Sequence, residues 1–228
     1  MKNKFLVVLT LVVLFATTCT FAVTFTDLPQ DHWAINYITP LAESGVINGY
    51  PDGTFGPEGT ISRGEFLKLV IAASMPEGVS INIAPSALEH WAGKYLFIAQ
   101  QYQVVAPGEL TLENIDLPIT RREMVMMIGK ADTNLRNNSL NNDDTMVFND
   151  FDKMDASERR YLAHSVGEGY LNGYPDGTFG PDNNMTRAES ATVIYRYTNK
   201  GKLNMRICKS KNKEKIYQCR KMLSKIEK

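Results

Sequence analysis

The sequence predicts an all-α chain made of three tandem helical units of about 60 residues each. Three observations carry that prediction. The 19 residues NGYPDGTFGPEGTISRGEF at 48–66 return as NGYPDGTFGPDNNMTRAES at 172–190, 124 positions later and without insertion. A helix-capping sequence of the form Ser/Thr-Arg-x-Glu occurs three times, at Ser62–Glu65, Thr120–Glu123 and Thr186–Glu189. Apolar residues on either side of these caps recur at helical spacing.

Lys2 and Lys4 precede an apolar run over 5–16, and small residues then lead to Ala22. Residues 1–22 therefore read as a secretory signal peptide cleaved after Ala22, with an uncleaved anchor as the alternative. In the first unit, 23–75, Trp33, Tyr37, Ile38 and Leu41 form one apolar stripe on a helix ending near Gly45. A loop follows in which Pro51, Asp52 and Gly53 supply turn chemistry, and Phe55 and Pro57 turn its apolar side onto the body. A second helix begins at the Ser62/Glu65 capping box and buries Phe66, Leu69 and Val70.

The second unit, 76–131, emerges on a shift of 58. His32-Trp33-Ala34 then falls on His90-Trp91-Ala92, Tyr37-Ile38 on Tyr95-Leu96, and the first cap on Thr120/Glu123. Its loop reads APGELTLENIDLP and lacks Pro-Asp-Gly. An Asn-rich polar stretch at 132–147 reads as a surface linker. The third unit, 148–200, restores the loop and the Thr186/Glu189 cap, with Ser157 where the first unit has Trp33. One such unit has too small a core to stand comfortably alone.

The basic tail, 201–228, makes the formal charge of zero misleading. From Lys200 onward eleven Lys or Arg face two acids, whereas 23–199 holds 12 basic and 23 acidic residues. An acidic body with a basic tail is an arrangement for interaction. The tail is expected to lean on an anionic polymer or membrane surface, or simply to solubilise the chain end. Cys208 and Cys219 could close a disulfide there in an oxidising compartment.

Three arginines, Arg63, Arg121 and Arg187, stand at the first position of their helices, where a cation opposes the helix dipole by roughly 0.3–1 kcal/mol. Two readings stay open. Each arginine pairs with its neighbouring acid, or each joins free helix amides to grip an anionic ligand group. Tyr50 and Tyr174, in glycine-rich loops, suit stacking on a sugar ring. Trp33 and Trp91 lie on helical stripes, which favours core packing. His32 and His90 read as local hydrogen-bonding or packing residues rather than bases, and Asp52 and Asp176 as turn residues rather than calcium ligands. With no HExxH, GxSxG, phosphate-loop lysine or CxxC motif, catalysis has little support, and no metal or cofactor is expected.

These residues resemble the S-layer homology family of bacterial cell-envelope anchoring modules. The likeness rests on Phe-x-Asp openings (Phe25 and Asp27, Phe148 and Asp150), on Gly-Tyr-Pro-Asp-Gly-Thr-Phe-x-Pro, and on TRAE at Thr186–Glu189 with SRGE and TRRE as variants. The resemblance implies a pseudo-threefold assembly with grooves between modules. Those grooves would bind a secondary cell-wall polysaccharide attached to peptidoglycan, often bearing a pyruvate ketal, or a modified peptidoglycan. It assigns Arg63, Arg121 and Arg187 to the anionic group, and Gly53, Gly177, Tyr50, Tyr174, Trp33 and Trp91 to the groove. The expected function is noncatalytic anchoring of a secreted chain at the cell envelope, with no nucleic-acid partner. The alternative is an envelope assembly protein acting through protein–protein contacts.

Overall fold

Six α-helices form among the described residues, in three consecutive pairs. They are α1 (Ile35–Glu43) with α2 (Arg63–Ser74), α3 (Gly93–Gln101) with α4 (Arg121–Asn134), and α5 (Ala156–Gly167) with α6 (Arg187–Cys208). The computed structural model describes residues 23–75, 83, 89–136, 138–140 and 148–208. No β-strand occurs among them. The expected signal peptide, the linker residues 137 and 141–147, and residues 209–228 of the basic tail, Cys219 among them, lie outside the described residues.

Each pair uses the same local devices. Ahead of α1 and α3 a histidine ring accepts a backbone amide: Ala34 N–H donates to His32 Nδ1 and Ala92 N–H to His90 Nδ1, both at 3.2 Å. Helix α5 instead starts on a fourth capping box, between Asp155 and Glu158, that the sequence reading did not identify. Beyond α1, α3 and α5 the chain reverses through a left-handed residue at equivalent places: Gly45 (φ 70°), Gln103 (φ 56°) and Gly169 (φ 75°). Helix α1 begins only at Ile35, so Trp33 sits in the preceding turn rather than on the helical stripe. Ile38 and Leu41 keep the buried face that the spacing predicts.

The helices pack in cyclic order: α2 lies against α3, α4 against α5, and α6 against α1, while α2 also meets α4 and α6. Phe66, Leu67, Val70, Met124, Val125, Ile128, Ala191, Ile194 and Tyr197 join one core, into which Phe55 and Phe179 also point. At its centre lies a triangle of backbone bonds. Ile61 N–H donates to Met185 O (3.1 Å), Met185 N–H to Ile119 O (3.0 Å), and Ile119 N–H to Ile61 O (3.0 Å). The three residues precede the three caps, and each is at most 1% exposed. Buried amides and carbonyls need partners, and each unit finds them only in the other two.

The polar stretch expected as a surface linker begins later than the sequence suggests. Helix α4 continues through Asn134, and Asp132 is fully buried, 2.9 Å from the buried ring of His164 and bonded by Asn138. Arg136 donates to Tyr197 O and Ala73 O, both at 2.8 Å, tying the same stretch to α6 and α2. Burial pushes the Asp132 carboxyl up, but its bonds to His164, Asn138 and Tyr170 prevail and hold it below the ordinary range. A polar sequence was read as surface where its charges are in fact paired inside.

Gln103 holds the left-handed position that Gly45 and Gly169 hold in the other two units. A side chain at positive φ is strained by about 1 kcal/mol, and Gln103 is exposed, so nothing else depends on its side chain. Gln103→Gly is expected to stabilise the fold by about 0.5–1 kcal/mol, read as a higher urea midpoint at unchanged slope.

Candidate functional site

The amides at the starts of α2, α4 and α6 are all occupied. Arg63 N–H donates to Leu117 O and Gly64 N–H to Ile115 O; Arg121 N–H to Asn183 O and Arg122 N–H to Pro181 O; Arg187 N–H to Gly59 O and Ala188 N–H to Pro57 O, at 2.8–3.0 Å. The third amide of each helix goes to its cap: Glu65 N–H to Ser62 Oγ, Glu123 N–H to Thr120 Oγ1, and Glu189 N–H to Thr186 Oγ1. The cap glutamates return the bond to Ser62, Thr120 and Thr186 N–H, each at 2.9 Å. The expectation that free helix amides would grip an anion is therefore corrected, because a neighbouring unit has already taken them.

The arginines follow the same cyclic direction. Arg187 donates Nε to Phe55 O (2.9 Å), Nη2 to Asn48 O (3.1 Å) and Nη1 to Glu65 Oε1 (3.0 Å). Arg121 donates Nε to Phe179 O (2.8 Å) and Nη2 to Asn172 O (3.1 Å), with Glu189 at 3.9 Å. Tyr50 and Phe55 enclose the Arg187 guanidinium at 4.7 and 5.0 Å, and Tyr174 and Phe179 enclose Arg121 at 4.5 and 4.7 Å. Both arginines are 5% exposed. Arg63 meets a unit without this loop; it pairs with Glu123 at 2.8 Å and donates to Asn114 O, and its side chain is 19% exposed. Each arginine thus pairs with the cap glutamate of the next unit, not with its own neighbour.

The Gly-Tyr-Pro-Asp-Gly-Thr-Phe loop is held in shape from behind. Asp27 accepts the amides of Phe55 and Gly56 at 2.7 Å, and Asp150 those of Phe179 and Gly180 at 2.8 Å. Burial pushes both carboxyls up, yet these amides outweigh it and hold them below the ordinary value. At the tip, Asp52 and Asp176 accept from Thr54 and Thr178. Gly53 (φ 85°) and Gly177 (φ 82°) take the left-handed turn position. The aspartates are turn residues, in agreement with the sequence.

Between the first and second units lies a groove of about 470 Å³. Tyr50, Ser62, Glu65, Lys68, Trp91, Asp116 and Arg187 line it, along with Asn48 and Gly49. Of the residues expected to bind, Tyr50, Trp91 and Arg187 converge here; Gly53 lies outside the lining, and Arg63, Arg121, Tyr174, Gly177 and Trp33 stand elsewhere in the cycle. Trp33 and Trp91 are 54% and 48% exposed, so the core-packing expectation fails for both. Tyr50 is 45% exposed, whereas Tyr174 is half-buried. Lys68 went unnoticed in the sequence because nothing local distinguishes a lone lysine on a helix. Only the fold shows that it faces a groove.

The S-layer homology domain family model matches residues 24–67 and 147–191, the opening, loop and cap of the first and third units. The chain carries S-layer homology domains. Among similar proteins, the cellulosome-anchoring protein of Acetivibrio thermocellus is 25% identical over 80% of this chain and 28% of its own length. The S-layer protein EA1 of Bacillus anthracis is 28% identical over 75% of this chain and 19% of its own. An exoglucanase, XynX, of Acetivibrio thermocellus is 27% identical over 76% of this chain and 16% of its own. The chain spans less than a third of the length of each of these relatives. The middle unit falls outside the two matched stretches, but its helix pair α3/α4 and its capping box have the geometry of the S-layer homology domains on either side.

Arg121→Ala and Arg187→Ala strand two carbonyls and a glutamate each and are expected to cost about 3 kcal/mol in chemical denaturation, against about 1 kcal/mol for the more exposed Arg63→Ala. For Asp150, a folded value held below the ordinary 3.8 means its contribution is intact above that pH and is lost as pH falls through the lower folded value. Asp150→Asn is expected to lower stability at pH 7 by about 1–3 kcal/mol. Acid unfolding followed by circular dichroism should show a smaller loss below pH 3.8 in this variant than in the parent.

Proposed function

We propose that this chain is a noncatalytic anchor that holds itself, or a partner, on the bacterial cell envelope by binding an anionic secondary cell-wall polysaccharide linked to peptidoglycan. A pyruvate ketal is the proposed acidic group. The S-layer homology domains support envelope association, and relatives named as S-layer and cellulosome-anchoring proteins agree with it. The observation that carries the polymer reading is the groove itself. Two exposed aromatic faces, Tyr50 and Trp91, flank a cation, Lys68, beside the hydrogen-bonding groups of Ser62, Glu65 and Asp116. Aromatic faces pack on the apolar faces of sugar rings, carboxylates accept hydrogen bonds from hydroxyls, and a lysine pairs with an acid.

The pseudo-threefold arrangement belongs to the same proposal. Its support is the equivalence of the bonds: the acceptors Gly59, Leu117 and Asn183 are related by the same shifts, 58 and 124, that relate the caps.

The test is co-sedimentation of the purified chain with cell-wall sacculi. Sacculi bearing the secondary polymer should pellet the chain, and sacculi stripped of it should not. Separate removal of ketal carboxylates and of phosphate identifies which acid is recognised. Pelleting that survives both treatments and full stripping would sink the polymer reading in favour of contacts with peptidoglycan or protein.

A further inference from the structure

The three places where a second helix of one unit faces the next unit are unequal, and the sequence substitutions that make them so are correlated in space. Between the first and second units, Gly64 lies beneath Trp91: a Cβ at position 64 would stand 3.1 Å from the indole ring. The missing side chain therefore leaves room for the indole to lie against α2 and form a wall of the groove. Between the second and third units, the residues at these two positions are Arg122 and Ser157. The large side chain now comes from the other partner. Arg122 donates Nη1 to Glu158 (3.1 and 3.2 Å) and Nη2 to Asp182 and Lys153 O (both 2.8 Å), so that it bridges from α4 to three residues of the third unit. Between the third and first units, Ala188 and Trp33 stand at these positions.

The cations differ too. Of the two that line the first groove, Arg187 pairs with Glu65 at 3.0 Å and also donates to Phe55 O and Asn48 O. Lys68 makes no ion pair among the described residues. At the Lys68 position the second unit has Met126 and the third has Thr192, and at the Tyr50 position the second unit has Gly108.

We propose that the chain offers a single site for an acid-bearing sugar, the groove between the first and second units, with Lys68 as the group that takes the acid and Arg122 as a bolt closing the equivalent place between the second and third. The inference rests on the polymer-binding function and narrows it. Arg187 shapes the groove by holding Tyr50 and Glu65 in place, and the incoming acid meets the lysine. The interface between the third and first units keeps an exposed indole, Trp33, but presents Thr192 in place of a cation and is silent toward the acid.

The chain contains two tryptophans, one at each of two interfaces, which makes the site directly readable. In Trp33→Phe the remaining indole is Trp91, and titration with the soluble polymer released from sacculi should change its emission. Lys68→Met, which installs the second unit's own residue at a half-buried surface position, should weaken the titration about tenfold or more with an unchanged circular dichroism spectrum. Arg122→Ala should leave the titration unchanged. Parent-like binding by Lys68→Met overturns the proposal. So does loss of binding in a folded Arg122→Ala, or a silent Trp91 under conditions where the polymer binds. A parent chain that binds neither sacculi nor released polymer refutes the polymer-binding function itself, a result distinct from any of these.

Discussion

An α-helix leaves its first amides without partners, and in this protein a different unit supplies the missing carbonyls. That constraint organises everything else. Helices α2, α4 and α6 each begin where the next unit's loop offers two backbone acceptors, and the order closes on itself from first to second to third to first. The Ile61–Met185–Ile119 triangle is the innermost expression of the same rule. A unit taken alone would expose two amides, a cap and a charged arginine, which is why a helix pair of this size acquires a fixed shape only in company.

The same constraint explains the loop. Gly-Tyr-Pro-Asp-Gly-Thr-Phe is a receptacle for an arginine: its carbonyls at Asn48 and Phe55, or Asn172 and Phe179, take the guanidinium donors while a tyrosine and a phenylalanine cover its faces. A cation at a helix start would ordinarily oppose the dipole. Carried into the next unit and placed against carbonyls and a glutamate, it becomes a tie. The second unit lacks the receptacle, and Arg63 accordingly settles for a more exposed pair with Glu123. The loop is found in two units because two arginines are buried.

The helices, the caps and the repeat were legible because periodicity and capping act within a few residues of the chain. Ser62, Thr120 and Thr186 could be named as caps, and Phe55 as buried, from neighbours in sequence alone. What was misread acts across units. The arginines were correctly singled out as anomalous, but their acceptors lie 51 to 139 positions away. Trp33 and Trp91 keep helical spacing with the residues that follow, yet precede the helix and face outward. Asp132 looked like surface because its partner His164 is 32 positions distant. For Lys68, the signal that could have marked it was its replacement by Met126 and Thr192 in otherwise matched helices.

The closed order of ties also decides how the molecule meets a pulling force. Helix α6 is fastened into the first unit through its first turn, by Arg187 and two backbone bonds, and by its packing against α1. Tension entering along α6 is therefore borne at the far end of the sequence, by the unit that forms one wall of the groove, and passes through α2 to the second unit that forms the other. None of the three units can be peeled away without breaking its ties to both of the others.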